Sequence, residues 1–165
     1  LPHIYTQPFI DIFTTYGGGG STLSLLIVMF AICKSKRIRQ LGKLAILPGI
    51  FGINEPLIFG LPVVLNPIIA IPFISVPVLN TLISGLVMTW GWVPRPNGVL
   101  LPWTTPPIIS GWLASGSWTG SVLQIFELLL GILIYYPFVK MLDKQYLGDE
   151  QAAAEAELTI DFDEV

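Results

Sequence analysis

Charge is what this sequence has least of, and that shortage decides its class. Only 12% of the 165 residues are Asp, Glu, Lys or Arg, while 53% are hydrophobic and the mean hydropathy is +0.72. Soluble domains carry about a quarter charged residues, so a soluble globular class is excluded in favour of a polytopic membrane protein. There is one cysteine, Cys33, which excludes an internal disulfide and any multi-cysteine metal site. No initiator Met and no signal-peptide pattern open the chain, which begins Leu1-Pro2-His3. It reads as the C-terminal piece of a longer membrane protein, with half of a binding site expected outside it.

The few charges are unevenly placed. Residues 1–140 hold seven Lys or Arg against three acids, Asp11, Glu55 and Glu127, whereas eight acids and one Lys follow. Between Lys43 and Arg95 lie 51 residues with a single charge, that of Glu55. A carboxylate alone in so long an apolar field must face protein or water rather than lipid, which makes it a functional-site candidate. Around it stand Pro48, Gly49, Gly52, Pro56, Gly60 and Pro62. Each proline removes a donor and clashes with the turn before it, so one regular helix cannot hold them all. Irregular backbone at membrane depth survives only where protein or a cavity receives it. The expected fold is therefore an all-α, polytopic membrane protein with a broken or re-entrant hairpin that presents Asn54-Glu55-Pro56 to a cavity.

Along the chain, residues 1–16 mix aromatics with Thr6, Gln7, Asp11 and Thr14, as suits a cavity lining. Gly17–Gly20 lack the Lys-Ser/Thr of a phosphate loop and read as a hinge or a close helix contact. Ser21 or Thr22 is placed to cap a helix over Leu23–Cys33, which spans a bilayer only if it starts near Phe9, since a span takes about 20 residues. The cluster from Lys34 to Lys43 holds five of the eight basic residues. Hard against an apolar segment, it is an orientation signal for a cytoplasmic loop rather than a nucleic-acid site. Residues 67–92 form an apolar run, helical in its second half, and Ser121–Phe138 a clean membrane helix closed by Lys140 and Lys144. If both basic ends are cytoplasmic, an even number of crossings separates them. Two are expected, 67–92 and 120–138, with 45–66 and 99–118 broken or re-entrant; a count of four, which places Arg95 inside, also satisfies the parity. The membrane domain is set at 1–147, and 148–165 is expected to be a disordered acidic tail on the cytosolic side, with a short helix over Ala152–Leu158.

Four stretches carry a family likeness. They are Gly49-Ile50-Phe51-Gly52-Ile53-Asn54-Glu55-Pro56-Leu57-Ile58-Phe59-Gly60-Leu61-Pro62, Thr6-Gln7-Pro8-Phe9 with the glycine run before Ser21-Thr22-Leu23, the basic Lys34-Ser35-Lys36, and Val99-Leu100-Leu101-Pro102-Trp103-Thr104-Thr105-Pro106-Pro107. In this order, over about residues 1–145, they resemble the C-terminal part of the membrane IIC component of the sugar phosphotransferase system, in its lactose, cellobiose and diacetylchitobiose branch. The resemblance implies a homodimeric permease of the inner membrane, with re-entrant hairpins among its spanning helices. It would bind a disaccharide and present the 6-hydroxyl to a cytosolic IIB partner, whose cysteine carries the phosphate, with IIA as a further component. It implies no metal and no cofactor. By its Asn-Glu-Pro motif, Glu55 is the catalytic candidate, with Asn54 beside it; by its Pro-Trp-Thr-Thr-Pro-Pro motif, Trp103 is the sugar-contacting tryptophan. The family's Gly-Ile-His-Gly segment has no counterpart here, and His3 stands in another context.

The chemistry suits these residues. A carboxylate in an apolar cavity can accept or relay the proton of a sugar hydroxyl, or orient that hydroxyl by a charge-assisted hydrogen bond. An indole face packs on the sugar's C–H surface. Gln7 and Asp11 are cavity-lining candidates, Gln7 being counted with the substrate-binding set. Glu127 is open between a ligand role and a bond to a neighbouring helix. Trp90, Trp92, Trp112 and Trp118 read as interfacial anchors or core. Cys33, in an apolar helix, is no phosphocysteine. Two other readings stand beside this one: an ion-coupled secondary sugar transporter with Glu55 carrying the proton, and an inactive truncated fragment.

Overall fold

The structure, a computed structural model, describes residues 3–61, 63 and 65–163, with 158–163 described by backbone alone. Pro62 and the end of the acidic tail lie outside the described residues. Among the described residues every regular element is helical, as expected. The elements are α1 (Gln7–Phe9), a π-helical turn (Ile10–Thr14), α2 (Thr22–Ile32), α3 (Lys36–Ile50), α4 (Glu55–Gly60), α5 (Pro67–Thr89), α6 (Ile109–Ser115) and α7 (Trp118–Asp163).

Two helices are long and apolar enough to cross a membrane, Pro67–Thr89 and Trp118–Glu157, at the two places the sequence marks. Helix α5 is longer than expected, because Pro67 opens it and Pro72 and Pro77 lie inside without ending it. The Thr81 hydroxyl donates to the Pro77 carbonyl at 2.8 Å. The N-terminal segment does not extend α2 into a span, since Thr15–Ser21 separate the π turn from an α2 of 11 residues.

The packing has a layered logic along α5 and α7. One apolar cluster joins Leu25, Leu26, Met29, Ile38, Leu57, Ile69, Val76, Tyr135 and Leu142. A second joins Phe9, Phe13, Met88, Val93, Ala114 and Leu123. Between their positions on each helix fall the buried polar residues Asn80 and Ser84 on α5 and Glu127 on α7. The glycine run enters this polar level. Tyr135 donates its hydroxyl to Gly20 O at 2.7 Å, Thr22 to Gly17 O at 2.6 Å and Ser21 to Thr14 O at 2.8 Å, while Asn80 Nδ2 donates to Ser21 Oγ at 3.1 Å. Buried backbone carbonyls need partners, and here side chains from three helices supply them. Ser21 sits at the N-cap of α2 but spends its hydroxyl on Thr14, so no side chain caps that helix.

One expectation is corrected at the basic end. The Lys34–Lys43 cluster is not a loop, because α3 begins at Lys36, with Ser35 Oγ accepting from Ile38 N. Helix α7 runs from Trp118 to Asp163, 46 residues. At 1.5 Å per residue that is about 69 Å, roughly twice a bilayer's hydrocarbon thickness. The Ala and Glu of this stretch are good helix formers, and two α7 carboxylates cap the start of α3. Asp143 accepts from Lys34 N and Ser35 N, at 3.0 and 2.9 Å. Glu150, two turns further along α7, accepts from Ser35 Oγ at 2.7 Å, Lys36 N at 3.3 Å and Arg37 N at 3.2 Å. Both carboxylates thus serve the donors that the start of α3 leaves unpaired, where the helix dipole also favours negative charge. Arg37 lies 5.1 Å over the Tyr146 ring and adds to the join. Replacing the buried Asp143 by Ala is expected to cost about 1–3 kcal/mol of local stability. Hydrogen exchange should quicken at the amides of 34–38 and stay unchanged in α5.

Candidate functional site

The proline- and glycine-rich stretch becomes a helix–turn–helix. Pro48 and Gly49 close α3, and Gly52 takes a left-handed φ of 80°. Ile53 N donates to Pro48 O at 3.0 Å and Gly52 N to Gly49 O at 3.2 Å. That pair of bonds is a Schellman ending, which needs a residue free to adopt positive φ. Asn54 then starts α4, with Leu57 N and Ile58 N donating to its carbonyl, each at 3.0 Å. Pro56 occupies the first turn, where its missing N–H costs nothing.

Three distant stretches meet at this turn. A Cβ on Gly18 would lie 2.5 Å from Asn54 Cγ, so the glycine run presses on Asn54. A Cβ on Gly52 would lie 3.0 Å from Trp103 O, so the 99–107 stretch covers the turn on its other side. The result is two neighbouring cavities. One, of about 100 Å³, is lined by Gln7, Asp11, Tyr16, Pro102, Trp103 and Ser110 among others. The other, of about 250 Å³, is lined by Asp11, Thr15, Gly18, Asn54, Glu55 and Trp103 among others. Asp11 and Trp103 belong to both. Of the four residues singled out from the sequence, Gln7 lines the smaller cavity, Asn54 and Glu55 the larger, and Trp103 both.

They do so differently. Asn54 is buried, and both hydrogens of its amide are committed, to Gly19 O at 2.9 Å and Thr22 Oγ1 at 3.1 Å. Its visible work is to fasten the turn to the glycine run. Glu55 is exposed at the first position of α4, and among the described residues its carboxylate makes no hydrogen bond. It is not consumed as a backbone cap. Trp103 is 62% exposed with its indole on the cleft wall. Gln7 donates Nε2 to Asp11 Oδ1 at 2.8 Å. Glu127 is fully buried, accepts a hydrogen bond from Ser84 of α5, and lines neither cavity. Of its two sequence readings, the bond between helices is the one observed. Among the described residues no group of three or more metal-ligating side chains assembles.

Gln124 is the positioning residue that the sequence reading missed. From α7 its Oε1 accepts from Ile108 N at 2.6 Å and Gly111 N at 2.9 Å, and its Nε2 donates to Ile12 O at 2.8 Å. It joins the start of α6 to the π turn that carries Asp11. Ile108 adopts a φ of 77°, a strained value for a branched residue, held by Gln124 on one side and by Ser121 Oγ on its carbonyl at 2.6 Å on the other. An amide inside an apolar helix was the available signal. A larger apolar groove of about 600 Å³ lies between α5 and α7, lined by Trp90, Trp92, Trp118, Phe126 and their neighbours. Thr119 is the one hydroxyl-bearing residue along it, so it offers a polyhydroxylated ligand almost nothing to bond.

Among the described residues the protein is all-helical, and its chain breaks converge on the two cavities that share Asp11 and Trp103. Residues 1–77 match the family model described as Phosphotransferase system, EIIC. The chain is 47% identical over 151 residues to the Lichenan permease IIC component of Bacillus subtilis (strain 168), covering 91% of this chain and 33% of that protein. It is 48% identical over 153 residues to the PTS system cellobiose-specific EIIC component of Geobacillus stearothermophilus, covering 92% and 34%. The crystal structure of the transporter ChbC, the IIC component from the N,N'-diacetylchitobiose-specific phosphotransferase system, superposes with a TM-score of 0.89 at 44% identity, covering 92% of this chain and 35% of that one. This chain belongs to the EIIC permease family of the sugar phosphotransferase system. It spans about a third of the length of these relatives.

Proposed function

We propose that this chain is the C-terminal part of a IIC permease that binds a disaccharide of the cellobiose, lactose or chitobiose type in the Gln7–Glu55–Trp103 cleft. It carries the sugar inward and presents its 6-hydroxyl for phosphorylation by the phosphocysteine of a cytosolic IIB partner, which IIA reloads. Glu55 accepts or relays the hydroxyl proton as phosphate arrives. Trp103 packs against the sugar's C–H face, Gln7 bonds a hydroxyl at the rim, and Asn54 contributes its remaining amide oxygen while it holds the turn. Residues 51–54 form the tip of a re-entrant hairpin, and α5 and α7 cross the inner membrane. The basic start of α3 and the far end of α7 face the cytosol, and the full-length protein works as a homodimer. Positioning is the protein's contribution; the reactive phosphoryl group is the partner's.

The observation that carries this reading is the convergence of three separate motif stretches on two neighbouring cavities, with an uncommitted carboxylate and an exposed indole in the wall of the larger. The bonds from the start of α3 to Asp143 and Glu150 of α7 support a single cytosolic end. The test is uptake of labelled cellobiose into vesicles containing the full-length permease, with and without phosphorylated IIB. Sugar phosphate inside only when IIB is supplied is the expected result. Free sugar that ignores IIB and follows a proton gradient would refute it and identify an ion-coupled transporter. Replacing Trp103 by Ala should weaken sugar binding by about 10-fold, as expected for losing a stacking face, measured by equilibrium binding of labelled cellobiose.

A further inference from the structure

We propose that Asp11 is a second carboxylate of the sugar site, held by Gln7 and accepting hydrogen bonds from sugar hydroxyls beside those that Glu55 takes. The inference rests on the disaccharide reading of the cleft given above.

Asp11 is the acidic residue common to both cavities, and in the larger one it lines the wall with Glu55 and Trp103. Its backbone is unusual. Residues Ile10–Thr14 form a π-helical turn, closed by Thr15 N donating to Ile10 O at 3.0 Å. Such turns insert an extra residue into a helix, re-aim a side chain, and are frequent at functional sites. This one is anchored from behind. Ile12, Phe13 and Thr14 are buried, and Gln124 holds the Ile12 carbonyl. Asp11 is left half-buried at the edge of the cleft.

The hydrogen-bond inventory leaves it capacity. A carboxylate offers about four acceptor sites on two oxygens. Gln7 uses one on Oδ1, and no described group bonds Oδ2. A carboxylate with one oxygen fixed by an amide and the other turned to a cavity suits the paired hydroxyls of a neutral pyranose, whose O–H groups donate to it in charge-assisted bonds. The Gln7 bond also holds the carboxylate before ligand arrives, which lowers the ordering cost of binding.

The test is equilibrium binding of cellobiose and of its monodeoxy analogues to the full-length permease, for wild type, D11A and D11N. D11A is expected to lose about 10- to 100-fold in affinity, the loss for one hydrogen bond to a charged group. The deoxy analogue lacking the hydroxyl that Asp11 accepts should bind wild type about as weakly as cellobiose binds D11A. In D11A that same deletion should cost nothing more. D11N keeps an acceptor for Gln7, so it carries the comparison if D11A does not fold, with a smaller loss on the same hydroxyl. Unchanged affinity in the variants overturns the proposal. So does weakened affinity with every deoxy penalty as large as in wild type, since that marks a merely structural role. Folded wild type that binds no disaccharide would instead refute the reading of the site as a sugar cleft.

Discussion

Glu55→Gln is expected to lower IIB-dependent sugar phosphorylation by about 10²- to 10⁴-fold, the usual range for losing a positioned acid–base group. Gln is nearly isosteric and can still donate and accept hydrogen bonds, but it cannot take a proton from the 6-hydroxyl. Because the Glu55 carboxylate makes no hydrogen bond among the described residues, the variant should fold and melt like wild type. Loss of turnover with melting temperature and sugar affinity nearly preserved would place Glu55 in the chemical step. Turnover within a few-fold of wild type would remove it from that role.

Gly18→Ala should damage both the fold and the site. At a φ of 98°, Gly18 lies where L-residues are strained, and an added Cβ would sit 2.5 Å from Asn54 Cγ and 2.6 Å from Asn54 Nδ2. The backbone strain alone costs about 1–3 kcal/mol. The clash adds to it, because Asn54 cannot yield without leaving Gly19 O and Thr22 Oγ1. Displacing Asn54 moves Glu55, its neighbour, so sugar binding should fall together with thermal stability. Gly42→Ala is the matched control. Gly42 lies within α3 with nothing inside 4 Å of an added Cβ, and Gly to Ala there should stabilise by about 0.5–1 kcal/mol. Thermal unfolding and cellobiose binding of both variants check the pair. A Gly18→Ala protein that melts and binds like wild type would show that the glycine run does not set the position of Asn54.

Where the sequence was legible, one physical signal dominated each position. Long apolar runs located α5 and the membrane part of α7, and the prolines and glycines around Glu55 located the turn between α3 and α4. Glu55 stood out as a lone charge. The failures came where distant partners decided the outcome. Asp143 and Glu150 face the open end of α3, a pairing across more than a hundred residues of chain that no local pattern shows. The basic stretch looked like a loop for the same reason, since its helix is capped from α7. Only the second half of 67–92 read as helical, yet α5 starts at Pro67 and contains Pro72 and Pro77. Asn54 suited the turn as well as a ligand from the sequence, and the partners of its amide hydrogens, Gly19 O and Thr22 Oγ1, come only with the folded glycine run. Gln124 gave no sign beyond its polarity, because its role depends on the π turn and on Ile108 arriving at its two ends.

The central claim is that sugar sits between Glu55 and Trp103. It is tested most directly by determining the structure of the full-length permease with cellobiose bound. The account predicts sugar density in the cleft, with a hydroxyl within hydrogen-bond reach of Glu55 and a pyranose face against the Trp103 indole. Cellobiose bound elsewhere, for instance in the apolar groove of Trp90 and Trp118, with the Glu55 cleft filled only by water, would contradict it.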